Sequence, residues 1–365
     1  MRYSDNQETV WNLIGFIIFY REGMHMNSRE IITRVIEFDC PCRIGLDFNE
    51  PNQNDIAWIL SARLRNKEYE KFSEWGCYEE ELQKLAGFKG EINKDPFGNV
   101  YGRLGGKTKG ECVKGALQDS WDLLKNYKMP GYDESYEREL AEILKQNEGR
   151  FLLAALPVAV FSTIRDLRGI ENVLMDLILE KEMVVKCLEN IESLSVDLIK
   201  KASALEFDGI IMYDDWGTQS SLMINPDLWR EIFKPIYKRI VKATHDEEMK
   251  FFLHSCGYVY EIIEDFIEIG IDVLQFDQPE LVGVEKLSKE FGGRVTFWSP
   301  VDIQKVMRSG NKLEIQQEAN KMLQYFGKFK GGFIAEDYPS WEDIDVKEEW
   351  AQWARGVFMK NADYN

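Results

Sequence analysis

Lys250-Phe-Phe-Leu-His-Ser-Cys-Gly257 is the stretch on which the fold turns. Residues 250–253 read as a buried strand. Strand side chains alternate faces with a period of two, so His254 and Cys256 point the same way at its end. Gly257 allows a tight turn before the helix-like run 258–269. An imidazole and a thiolate at this spacing make half of a tetrahedral zinc site. The alternative is a metal-free strand end in which the thiol is inert and His254 hydrogen-bonds a ligand. Of the three histidines only His254 has such a setting: His25 lies near the start, and His245 adjoins the charge run 246–248, a solvated helix end.

Outward from this stretch the same rhythm repeats. The continuous apolar run 151–161 suits a strand buried on both faces of a parallel sheet. Helices follow at 170–179 and 181–205, then strand 209–213, helix 226–245 and strand 250–253. Helix 258–269, strand 273–276, helix 284–291 and strand 294–298 continue the series. Helices through 326, strand 331–335 and a last helix at 346–360 complete it. Upstream, 29–38 reads as a helix capped by Ser28, 43–48 and 72–78 as strands, and 110–126 as an amphipathic helix. Strands alternating with helices predict βαβ units and parallel pairing. The strands near 43, 72, 151, 209, 250, 273, 294 and 331 number eight. The expectation is therefore an α/β fold, a single-domain (β/α)8 TIM barrel with its active site at the C-terminal strand ends. Those ends carry Asp47, then Asp214, Asp215 and Trp216, then His254 and Cys256. Gln275, Asp277 and Gln278, Trp298 and Ser299, and Glu336 and Asp337 follow.

The 365 residues are 44% apolar and include ten tryptophans, enough for a large core. A net charge of −18 argues against a nucleic-acid surface and against an anionic membrane. It suits small-molecule chemistry or docking to a partner with a basic patch. Six scattered cysteines (40, 42, 77, 112, 187, 256) read as reduced thiols of a cytoplasmic protein, not as a disulfide framework. The C-x-C at Cys40 and Cys42 precedes its strand and reads as packing. The glycine-rich run 95–106 follows no G-x-G-x-x-G or P-loop pattern. The apolar run 9–20 falls short of the roughly 20 residues needed to span a bilayer and lacks the basic flank and cleavage site of a signal peptide. Residues 1–25 are expected to be an extension ahead of the barrel at 26–365, an upstream start choice being one source.

Asp214-Asp-Trp-Gly-Thr-Gln219, Phe252-Leu-His-Ser-Cys-Gly257, Gln278-Pro-Glu280 and Gly331-Gly-Phe-Ile334 resemble the uroporphyrinogen decarboxylase superfamily. Met26-Asn-Ser-Arg-Glu30 and Leu167-Arg-Gly169 fit the same pattern. The resemblance covers residues 26–360 and implies the same barrel. Decarboxylases of this family carry R-Q-A-G-R after the first strand to hold substrate carboxylates; here that place reads Gly45-Leu-Asp-Phe-Asn-Glu-Pro51. The likeness is closer to the corrinoid-dependent methyltransferase branch, the methylcobamide:coenzyme M methyltransferase-like enzymes, whose H-x-C binds zinc at the same strand end. That branch adds a cysteine after the last strand. This chain has none after Cys256, so Glu336 or Asp337 is expected to take that place.

The resemblance thus implies Zn on His254, Cys256 and Glu336, a small-molecule substrate, and a corrinoid carried by a partner protein, since no D-x-H-x-x-G corrinoid motif occurs here. Asp214 and His254 are the expected catalytic residues. Asp214 would polarise substrate or orient His254. Asp47, Asp215, Trp216, Gln275 and Gln278 are the expected substrate contacts, with Trp216 walling a flat ligand. Cys77 is an outside candidate for the metal. Two rivals stay open: a decarboxylase acting on a different or smaller acid, and a non-catalytic binder using the same pocket.

Overall fold

The helix Ser28–Glu37 shows how local chemistry starts the fold. Its N-cap is Asn27, whose side chain accepts from the Glu30 N–H while the Glu30 carboxylate accepts from the Asn27 N–H. The sequence pattern favoured Ser28 as the cap; its hydroxyl instead donates to Asp55 at 2.6 Å. The computed structural model describes residues 26–85, 87–105 and 110–364. The expected extension at 1–25, with the apolar run 9–20 and His25, lies outside them.

Among the described residues, β1 (Gly45–Asp47) and β2 (Ile56–Leu60) precede an excursion that holds β3 (Leu64–Arg65), β4 (Glu91–Lys94), β5 (Val100–Arg103), β6 (Glu111–Lys114) and β7 (Gly131–Tyr132). The chain then runs through β8 (Phe151–Ala155), β9 (Gly209–Tyr213), β10 (Lys250–His254), β11 (Val273–Gln275), β12 (Thr296–Ser299) and β13 (Phe333–Glu336). Eight of these form one parallel sheet in the order β1-β13-β12-β11-β10-β9-β8-β2. The two end strands are consecutive in the chain and are joined by a tight connection in which Asp47 bridges Asn54, so the sheet is a nearly closed barrel wrapped by helices. The (β/α)8 architecture is as the strand rhythm predicted.

Two local expectations are corrected. The second barrel strand is β2, not 72–78: Phe72 ends a 3-10 turn, and Gly76 makes only an isolated antiparallel bridge to Ile92. Residues 110–126 are not a helix but β6 followed by a 3-10 turn, Trp121–Lys125. Gly115 follows β6 where the chain meets the Leu167 backbone, and a Cβ there would sit 2.2 Å from the Leu167 carbonyl oxygen.

Period-2 alternation sends Ile56, Phe151, Leu153, Ala155, Ile211, Phe252, Val273, Trp298 and Ile334 into one interior cluster. Ile31, Ile32, Val35 and Ile36 of the Ser28–Glu37 helix plug that cluster from below, each at most 6% exposed. Burying one such side chain stabilises the fold by about 1.5–3 kcal/mol. The outward strand faces pack under the helices in the larger core. The excursion sheets lie against the helix Val160–Arg168, where the Tyr101 hydroxyl donates to Asp166 at 2.7 Å. The six cysteines are all free thiols. Among the described residues no helix is long and apolar enough to cross a membrane.

Candidate active site at the barrel mouth

With the lower interior filled, the alternation leaves the last inward residue of each strand to line the top. Tyr213, His254, Gln275 and Trp298 lie side by side on four consecutive strands. Asp47 and Glu336 are register partners on β1 and β13. With Trp58 of β2 these residues border a cavity of about 570 Å3. Trp58 and Tyr213 meet edge to face, 6.3 Å between ring centroids, and the Tyr213 ring lies 5.2 Å from the imidazole of His254.

Three metal-competent groups converge beside this row. Cys256 Sγ is 3.2 Å and Asp215 Oδ1 is 3.4 Å from His254 Nε2, and all three donor atoms lie within 4.8 Å of one another. The Cys256 N–H donates to Asp215 Oδ1 at 2.8 Å, tying the two loops together. On its other side His254 Nδ1 bonds Gln275 Oε1, and Gln275 Nε2 donates to Asp277 Oδ1 at 2.9 Å and to Glu336. Burial opposes charge on His254, but its bonds to Asp215 and Cys256 outweigh burial and hold it well above the ordinary imidazole range. Burial pushes the Asp215 carboxyl up, and the His254 bond and charge more than reverse this. Burial raises the Cys256 thiol, with His254 opposing it in part.

The rest of the mouth is acidic. Burial, then repulsion from Asp337 and Asp55, pushes Asp47 up to about 7. Burial, then Asp277 and Asp47, holds Glu336 well above the carboxylate range. Asp337 is paired with Arg355 at 3.1 Å and accepts the Asn49 N–H. Arg150, on the rim, is bonded to Glu50.

Several expected roles change hands. Asp214 does not face the mouth. Its carboxylate accepts from the N–H groups of Phe161 and Ser162 and from the hydroxyls of Ser162 and Tyr237, capping the helix Val160–Arg168 with no capacity left for substrate. Asp215, one residue on and so on the other face, reaches His254 instead. Trp216 is fully buried among Phe161, Trp229 and Phe233 with its indole N–H on Tyr237; it is core and walls no ligand. Gln278 lies outside the cavity lining and bonds Gln219 at 3.2 Å. Glu336 bonds Gln275 and is not among the converging donors, and Cys77 is exposed and remote, with its Sγ 3.9 Å from the Gly90 carbonyl. Asp47, Gln275, His254 and Cys256 stand where expected. Trp58 and Tyr213 line the mouth without a motif to mark them, although parity from Ile211 makes Tyr213 inward.

The profile of the Uroporphyrinogen decarboxylase (URO-D) family matches residues 117–336. Among solved structures, a methyltransferase from Methanosarcina mazei superposes with a TM-score of 0.62 at 12% identity, over 92% of this chain and 99% of that one. A D-psicose 3-epimerase from Clostridium cellulolyticum H10 aligns at 14% identity over 66% of this chain and 86% of that one, with a TM-score of 0.39. Xylanase 10B from Thermotoga maritima aligns at 10% identity over 63% and 81%, also at 0.39. No curated protein matches the sequence.

Proposed function

The chain belongs to the uroporphyrinogen decarboxylase family, and from that premise we propose that it is a methyltransferase moving a methyl group between a small substrate and a corrinoid carried by a partner protein. The observation that carries this reading is the convergence of Asp215, His254 and Cys256 at the mouth. The whole-chain likeness to the Methanosarcina mazei methyltransferase supports it.

The donor set fits zinc. Oxygen, nitrogen and sulfur are all zinc ligands, and tetrahedral bonds of 2.0–2.3 Å place neighbouring ligands about 3.3–3.8 Å apart. The separations around His254 Nε2 are 3.4 Å to Asp215, within that range, and 3.2 Å to Cys256, just short of it. Asp215, His254 and Cys256 would hold the ion, whose charge favours a thiolate or polarises a leaving group beside it. Gln275 accepts the Nδ1–H of His254 and so leaves Nε2 free to face the other two ligands. Trp58 and Tyr213 give the cavity an aromatic wall against which a methyl group can pack.

Decarboxylation of a polycarboxylate fits the mouth poorly. Asp47, Asp277 and Glu336 line the cavity with acids and offer a substrate carboxylate no cation, and Arg150 is already engaged by Glu50.

The test is formation of methylcob(III)alamin from cob(I)alamin, followed by absorbance with a panel of methyl donors and free cobalamin in place of the partner's corrinoid. Activity in the wild type that is lost in Cys256→Ser supports the reading. Conversion of a carboxylic acid with release of CO2, without methyl transfer, replaces it with the decarboxylase.

A further inference from the structure

We propose that the small molecule seated at the barrel mouth is a cation, a methylated ammonium compound. For the fate of its methyl group the inference rests on the methyltransferase reading; the binding preference does not.

Asp47, Asp277 and Glu336 border the cavity. The positive groups near them are already committed: Arg150 to Glu50, Arg355 to Asp337, and His254 to Asp215 and Cys256. The hydrogen bonds that Asp277 and Glu336 receive from Gln275 come from one neutral amide. Crowded carboxyls in a confined site hold their protons until a cation enters and favours the ionised form. A metal on Asp215, His254 and Cys256 would be neutralised by its own thiolate and carboxylate, and so would not supply that cation.

The shape and chemistry of the walls then select the kind of cation. Trp58 is 53% and Tyr213 41% exposed, unusual for large aromatics inside a barrel mouth. Exposed ring surface beside carboxylates suits a bulky, weakly hydrated ammonium, which gains from aromatic faces without needing several hydrogen-bond acceptors. Transfer from such a donor balances without an added proton. The N–CH3 bond breaks, nitrogen keeps the bonding pair and leaves as a neutral amine, and cob(I)alamin supplies the pair for the new Co–CH3 bond.

The test compares choline with its neutral carbon isostere, 3,3-dimethyl-1-butanol, by calorimetry on the wild-type protein. Choline should bind about tenfold more tightly, and Trp58→Leu or Asp47→Asn should narrow that ratio in variants that keep the wild-type melting curve. Equal affinity for the two compounds, or tighter binding of benzoate than of choline, overturns the inference. Methylation of cob(I)alamin separates the two ideas. Selective choline binding with no methyl transfer from any donor keeps the cation site and removes the methyltransferase. Transfer from methanol with no preference for choline removes the cation site and keeps the methyltransferase.

Discussion

Asp215 Oδ1 lies 3.4 Å from His254 Nε2, and the same oxygen accepts the N–H of Cys256. A carboxylate from the β9 loop thus stands beside the two donors of the β10 end, where the sequence pattern had pointed across the barrel to Glu336.

This relationship predicts an order of metal loss. Cys256→Ser should strip most of the zinc, and Asp215→Asn should lower affinity by about tenfold or more, since it removes an anionic ligand. Glu336→Gln should retain wild-type metal, because its carboxyl reaches only Gln275 among these groups. Mass spectrometry of metal content at matched protein concentration checks all three. Loss in Glu336→Gln equal to that in Cys256→Ser would restore Glu336 as the third ligand.

Asp214 makes the opposite prediction. Its carboxylate is buried and receives four hydrogen bonds that fasten the helix Val160–Arg168 to the β9 end. Asp214→Ala leaves those donors unmatched and should cost about 3–5 kcal/mol, read as a fall in urea midpoint. Metal affinity of the folded fraction should not change. A stable Asp214→Ala protein lacking activity would reinstate the catalytic role.

The contrast between these two neighbours marks what was legible. Strand parity is a local property, so the faces of His254, Cys256 and Gln275 could be read directly, and with them the barrel. Where a strand ends, parity no longer determines direction: Asp214 and Asp215 lie beyond β9, and only the packed helix at Val160–Arg168 decides which of them turns inward. The β2 strand does not stand out in the sequence because no helix separates Ile56–Leu60 from β1, so the strand-helix rhythm does not mark it. The bond between Glu336 and Gln275 joins residues 61 positions apart, and no spacing rule reaches that far.

Asp47 gives a pH dependence. Its folded value of about 7 lies above the ordinary 3.8. The protonated form is thus favoured by folding, and its contribution is fully present below pH 3.8 and lost as pH rises through about 7. Asp47→Asn removes the penalty of the charged form. The variant should gain about 1–3 kcal/mol relative to wild type between pH 5 and pH 8, seen as a growing difference in melting temperature. A constant difference across that range would show that Asp47 titrates normally in the folded protein.

The last prediction concerns residues that carry no ligand atom. Gly217 and Gly257 press their backbones together where the β9 and β10 loops cross. A Cβ on Gly217 would meet Gly257 C and Tyr258 N at 2.5 Å, and one on Gly257 would meet Gly217 C at 2.3 Å. The Gly217 N–H also donates to the Cys256 carbonyl at 3.1 Å. Gly257 has φ +83°, open to glycine and rarely to other residues, so Gly217→Ala is the cleaner probe because it adds bulk without that backbone cost. The methyl group has only backbone to push against, and the loops must part. Parting them moves Asp215 away from Cys256, and a zinc site is sensitive to displacements of a few tenths of an ångström. Gly217→Ala should therefore weaken zinc by about tenfold, comparable to losing an outer support of a ligand, while every ligand side chain is retained. Competition against a chelating dye measures this, and Ile32→Ala is the control. Truncating the plug below the barrel should cost about 2–5 kcal/mol of stability and leave zinc affinity unchanged. If Gly217→Ala binds zinc as tightly as wild type, the Asp215–Cys256 contact is not what assembles the site.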